Sequence, residues 1–470
     1  MSTNNNVKAL KSGVWYTFSN LVTKSIGFLT TPIFTRLLSR NDYGLYSNYS
    51  SWLQTFTVFA TLNLGASFIS ARYDYENDFD GYVSSTLVLS SIVTGIWAIL
   101  INIFSGFFSS LMGVDIQYIN VMIIYLLLFS AVDMFQMRER YYFKYKTTVA
   151  TSLIIAIMTA LLSVLLVVNL ENKLFGRIIG SAVPTIFVGA LLYILLIKRG
   201  KKVNFKYWGY ALPLCVPYIP HVLSLSLLNS MDKMMITRIC GAEENALYSV
   251  AYSCGAIVTM LVSSLNNAFA PWLGEKLHFQ EYGEIRRVSR SYIMIFTFLV
   301  CGIMLVSPEL LLFMGGKSYS EAIFVMPPVA LGCVCQFLYT MYVNIEQFSK
   351  KTVGMAIASV MAALSNFILN MIFIPIFGYI AAAYTTLASF LILLLIHMWL
   401  VRKMDLLKVY SYKLMFGVIG ALGVYTVLIH FLYMNSMVRY AVFAVYIIVA
   451  AVLFFRYKDM MLRIIKRKRK

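Results

Sequence analysis

Apolar runs of roughly 20 residues recur from one end of this chain to the other, separated by short polar connections. That rhythm constrains the fold more than any motif does. A helix of about 20 apolar residues crosses a hydrocarbon core of about 30 Å, and in lipid the backbone must satisfy its own hydrogen bonds. The runs predict spans near 13–35, 44–70, 82–104, 116–136, 147–169 and 175–197, then 208–228, 245–270, 290–312, 322–344, 354–374 and 380–400, with two more near 411–431 and 438–456. The expected fold class is therefore all-α, a polytopic membrane protein of about 14 transmembrane helices. The run at 208–228 is broken up by Pro213, Pro217 and Pro220, and only a short connection at Phe377-Gly378 divides the runs on either side of it. Composition excludes the soluble alternative. The chain is 60% hydrophobic and 13% charged, against about 45–50% and about 25% for soluble domains, so it has too little polar surface to cover itself. The first run holds Lys24 and Pro32, lacks a small-residue cleavage pattern and leads straight into the next; it is expected to be retained as a span.

Charge orients these spans. With the N-terminus in the cytoplasm, 30 basic residues fall on inside segments and 8 on outside segments, with Lys24 inside a span. Such a bias follows the positive-inside rule and places both termini in the cytoplasm. The net charge of +19 therefore follows the membrane loops and their anionic lipids; it forms no continuous patch with interleaved aromatics, and nucleic acid is excluded as a partner. The basic tail Met461–Lys470 reads as a stop-transfer segment.

The polar break at 36–47 has an echo. Arg36, Leu45, Tyr46 and Ser47 recur 202 positions later as Arg238, Leu247, Tyr248 and Ser249. A duplication of six spans would give parallel repeats related by an axis along the membrane normal. The expected domains are an N-terminal six-helix lobe at 1–200, a C-terminal six-helix lobe at 201–404 in parallel pseudo-two-fold repeat, and an additional helix pair with a basic tail at 405–470.

The run Pro32-Ile33-Phe34-Thr35-Arg36-Leu37-Leu38-Ser39-Arg40-Asn41-Asp42-Tyr43-Gly44-Leu45-Tyr46 resembles the first hairpin of the Wzx-like polysaccharide and oligosaccharide flippases, in the multidrug/oligosaccharidyl-lipid/polysaccharide exporter superfamily. Gly13, Asn20 and Lys24, the Arg138-x-Arg140-Tyr141 stretch, and Asn366, Asn370, Pro375 and Gly378 are similar to that family as well. The resemblance implies a flippase of the bacterial cytoplasmic membrane, moving undecaprenyl-diphosphate-linked oligosaccharide units from the inner to the outer leaflet for cell-surface polysaccharide synthesis. It implies as partners a polyprenyl-diphosphate-linked glycan, membrane lipids, and a polysaccharide polymerase and glycosyltransferases working alongside a functional monomer. A fourteen-span count is similar to the lipid II flippase branch.

Such a cargo needs cationic groups in a protected cavity. Lys24 is the leading candidate, because a cation about eleven residues into a span is costly against lipid and should face an interior space. In the second lobe, Asn229, Asp232 and Lys233 form a candidate cavity mouth, with Asn229 and Lys233 four apart on a helix. Arg36 and Arg238, at span ends, are candidate gate or hairpin residues; Arg72 and Arg138 are candidate cytoplasmic anchors or gate partners. Gly44 is expected to allow a tight turn, and Asp42 to pair with Arg40 or Arg36. Prolines at 184, 213, 217, 220, 271, 327 and 328 are expected to kink helices.

Two other functions compete. A cation-coupled multidrug exporter would share the fold, and the sequence leaves H+ or Na+ coupling open. A polyprenyl-dependent glycan polymerase or ligase would be an enzyme, but no large aqueous loop is present. His221, His278, His397 and His430 lack metal-ligand spacing, and Cys333-Val334-Cys335 lies in an apolar run where packing explains it. The expectation is a transporter with no catalytic residues and no metal.

Overall fold

A computed structural model describes residues 3–201 and 203–467; Lys202 and the last three residues of the basic tail lie outside them. The described chain is helical throughout. Its first part comprises α1 (Thr3–Leu37), α2 (Arg40–Thr61), the short α3 (Phe68–Asp74), α4 (Phe79–Ile103), the short α5 (Ser105–Met112), α6 (Ile116–Tyr141), α7 (Tyr145–Asn169) and α8 (Lys173–Gly200). Next come α9 (Phe205–Cys215), α10 (Ile219–Ile239), α11 (Ala242–His278), α12 (Tyr282–Gly315), α13 (Met326–Phe348), α14 (Thr352–Phe377) and α15 (Tyr379–Arg402). The chain closes with α16 (Tyr412–Met434) and α17 (Ser436–Arg467).

Helices occupy all the predicted spans, and 12 stretches are long and apolar enough to cross a membrane. The remaining long helices, α1 and α2, have the length but carry more polar residues. Ile154, Ile157, Leu161, Leu165 and Val168 of α7 stand exposed, a stripe that only lipid would cover without cost.

Local chemistry sets the element ends. Ser39 caps α2, accepting the Asp42 N–H at 3.0 Å and donating its hydroxyl to the Asp42 carboxylate at 2.7 Å. Asp42 thus closes the helix cap and does not pair with Arg40 or Arg36, because it stands at the third helical position, where a carboxylate also meets the positive end of the helix dipole. The span predicted over 44–70 ends at Thr61, since Leu62 (φ 46°) and Asn63 (φ 52°) are both left-handed and break the helix. Pro217 falls in a 3₁₀ turn at Val216–Tyr218 between α9 and α10, where its missing N–H interrupts the ladder. Pro327 and Pro328 stand in the first turn of α13, where proline is tolerated, so they start that helix and do not kink it. Gly378, at φ 68°, makes the hairpin between α14 and α15.

The first part packs around Leu64, Phe68, Tyr82 and Phe135 at one end and Tyr49, Phe56, Ile119 and Met122 at the other. The second packs around Phe296, Phe337, Tyr342 and Tyr410. α16 lies on α12 and α13, and α17 lies on α12 and α16. Arg439 of α17 forks onto Glu309 of α12 with two contacts of 2.6 Å. The two parts meet chiefly where α2 packs on α10 and α11 and where α1 touches α11 and α12.

Candidate functional site: a polar cleft closed at one end

The α1–α2 elbow is clamped to the second half of the molecule. Thr35 donates to the Met314 carbonyl at 2.5 Å, and Arg36 Nη2 to that of Phe313 at 3.1 Å. Arg40 pairs with Glu321 at 3.0 Å and faces the Tyr319 ring. Just inside, Asn245 donates to the Gly44 carbonyl at 2.9 Å, and the hydroxyls of Ser47 and Ser249 lie 2.6 Å apart. Small residues on α2 permit this close approach, as they do at helix contacts in membranes.

Gly44 corrects the sequence expectation. It lies within α2 and makes no turn. A Cβ there would fall 1.7 Å from the Ala242 carbonyl oxygen, so the residue is small because the N-terminus of α11 occupies that space.

Away from the elbow, α1 and α11 border a cleft. Lys24 lines two adjoining spaces of about 250 and 300 Å³. One is shared with Asn20, Ser263, Ser264 and Asn267, the other with Thr31, Ser253 and Thr259. Lys24 thus shares the space between the two halves with hydroxyl and amide groups, the kind of setting a cation within a span requires. The sequence marked Lys24; its polar companions on α11 were hidden in a run that is apolar on average.

The other candidates divide. Asp232 is buried and accepts from Tyr248 (2.6 Å), Thr386 (2.6 Å) and Asn370 (2.7 Å), while Asn370 and Asn366 are themselves linked at 3.2 Å. Thr385 also donates to Asn370. This polar knot joins α10, α11, α14 and α15. Lys233 turns to the Tyr252 ring at 5.4 Å. Asn229 is exposed and bonds back to Leu225 at 2.7 Å. The three share one side of α10 but differ in setting: Asp232 is buried in the knot, Lys233 is half-buried by Tyr252 and Asn229 is exposed.

Arg36 reaches across the two halves, whereas its echo Arg238 is exposed. Arg138 is buried at the opposite end of the molecule from the elbow, where it forks onto Asp80 at 2.5 and 3.0 Å and also pairs with Glu139. Arg72 stacks on Tyr142 at 4.9 Å in the same region. Arg138 and Arg72 thus join Asp80, Glu139 and Tyr142 within the first half, and neither is among the residues around the two Lys24 spaces. Glu346, near a span end, is buried against His397 at 2.8 Å.

Two packed helical halves with a polar cleft between them, closed at one end, define an all-helical, multi-pass membrane protein. Among solved structures the chain resembles a lipid II flippase MurJ in an inward closed conformation, with TM-score 0.64 and 16% identity, covering 95% of this chain and 100% of that one. It also resembles an inward-facing multidrug resistance MATE family transporter of the MOP superfamily, with TM-score 0.58 and 14% identity over 82% of this chain and 95% of that one. Residues 9–276 match the polysaccharide biosynthesis protein family, and the chain belongs to that family. A Haemophilus influenzae relative, Lsg locus putative protein 1, is 24% identical over 58% of this chain and 67% of its own. An uncharacterized membrane protein of the same organism is 22% identical over 76% and 88%.

Proposed function

We propose that this protein is a flippase that carries undecaprenyl-diphosphate-linked oligosaccharide units from the inner to the outer leaflet of a bacterial cytoplasmic membrane by alternating access. The observation that carries the reading is the Lys24 cleft, closed at the elbow end by a seam of small residues. A diphosphate needs a cation in a water-filled space, and a glycan needs amides and hydroxyls; the polyprenyl tail can stay in lipid between helices. Membership of the polysaccharide biosynthesis family supports this cargo over a drug.

Fourteen crossings with both termini cytoplasmic put the elbow outside. The arrangement described is then the inward-open state, with Arg36, Arg40 and Gly44 in the closed outer gate. The two-lobe repeat is supported by helix boundaries. α1 ends at 37 and α10 at 239; α2 begins at 40 and α11 at 242; α8 ends at 200 and α15 at 402. All these pairs share the 202-residue offset of the sequence echo. The lobes would be 1–200 and 201–404, with 405–470 added.

Asp232, a buried carboxylate of the second half that accepts from Tyr248, Thr386 and Asn370, is the group on which a cation-coupled version of the same cycle would rest, because a carboxylate can take up H+ or face a small cation. The deciding experiment reconstitutes the protein with fluorescent undecaprenyl-diphosphate glycan in the inner leaflet and follows its appearance in the outer one. Flipping above protein-free vesicles is expected. Drug export without glycan flipping would overturn the reading in favour of a multidrug exporter.

A further inference from the structure

A second cavity lies wholly within the first half, among α1, α2, α6, α7 and α8, with a volume of about 410 Å³, within the range of small-molecule sites, about 300–1,000 Å³. Arg177 of α8 lines it. The guanidinium carbon stands 3.7 Å from the centre of the Phe34 ring and 4.3 Å from that of Tyr46. Its Nε and Nη1 are buried and have no hydrogen-bond partner among the described residues, and no carboxylate among them lies within ion-pair range.

That combination is unusual for an arginine placed only for structure. The two rings attract the cation, but they leave its Nε and Nη1 donors without an acceptor. Those donors form the fork that matches a carboxylate or phosphate. Elsewhere in the same chain, Arg138 and Arg439 direct their forks onto carboxylates. Around Arg177 the cavity offers the amide of Gln136 and the hydroxyls of Ser152, Thr159, Ser181 and Thr185, groups suited to ring hydroxyls. Gly27 of α1 lines both this cavity and the Lys24 cleft, and a Cβ on it would meet nothing within 4 Å. At that point only backbone divides the two spaces.

We propose that this cavity is a binding subsite for a hexose-sized sugar carrying an oxyanion, either a carboxylate or a phosphate, with Arg177 as the group that holds the anion. The proposal deepens the glycan-flippase reading and rests on it for its biological sense, but its test is a binding measurement that needs no translocation. Full-length protein in detergent is titrated calorimetrically with glucuronate, glucose 1-phosphate, glucose and inorganic phosphate. At least one sugar oxyanion is expected to bind tenfold or more tightly than glucose or inorganic phosphate. Arg177→Gln removes that preference at least tenfold, and Arg177→Lys retains part of it. Ala156→Phe, which fills the cavity from α7 without changing Arg177, abolishes binding and decides the matter if the Arg177 variants fail to fold. Binding of only one sugar oxyanion assigns the anion. Failure of both to bind, equal binding of inorganic phosphate, or unchanged binding in Ala156→Phe would overturn the proposal and leave Arg177 as a brace for Phe34 and Tyr46. Intact binding without flipping would count against the flippase reading alone.

Discussion

The hydroxyl oxygens of Ser47 and Ser249 lie 2.6 Å apart, joining residues 202 positions apart in the chain, the offset at which the two elbows echo one another. One pair of residues from the sequence echo thus meets in space, at the seam between the two halves. The elbow, a candidate gate or hairpin in sequence, contacts the second half through Thr35, Arg36 and Arg40.

If that seam must part during transport, locking it should stop the cycle. Ser47→Cys combined with Ser249→Cys should form a disulfide on mild oxidation in membranes, because the side-chain atoms already approach closely. Glycan flipping should fall to background and recover on reduction. Full activity of the cross-linked protein would show that the seam does not open.

The side chain missing at Gly44 should matter as much. In Gly44→Ala the new Cβ would overlap the Ala242 carbonyl oxygen, and backbone cannot rotate away as a side chain can. Overpacking of this kind costs about 1–3 kcal/mol. The expected outcome is a lower thermal unfolding midpoint in detergent, with a larger drop for Gly44→Val.

Lys24 should govern rate. Lys24→Ala at equal abundance should slow flipping of a polyprenyl-diphosphate glycan about tenfold, equivalent to one charge-assisted hydrogen bond of about 1.5 kcal/mol. Lys24→Arg should keep most of the rate. A parental rate in Lys24→Ala would remove this residue from the cargo path.

Asp232 should show a stability effect that depends on what replaces it. Asp232→Ala leaves the donors of Tyr248, Asn370 and Thr386 without their acceptor, and each buried donor so stranded costs about 1–3 kcal/mol. Asp232→Asn keeps one acceptor oxygen and should unfold at a higher temperature than Asp232→Ala. Equal unfolding midpoints would mean that the knot is hydrated.

The amino-acid sequence by itself determined the all-helical membrane fold, the positions of the spans and the break at Pro217, because apolar length and proline geometry act locally. It also singled out Lys24, since a cation deep in an apolar run stands out without knowledge of its neighbours. Only the tertiary structure decided the rest. It turned Gly44 from a turn residue into a contact residue, sent Asp42 to the helix cap, gave Asn229, Asp232 and Lys233 different partners along one helix, and placed Arg138 in an ion cluster with Asp80 and Glu139. It also brought Arg177 of α8 against the rings of Phe34 and Tyr46 on α1 and α2. The physical reason is common to all of these. A helix fixes which residues share a face, but which face meets cargo, lipid or another helix depends on partners hundreds of residues away.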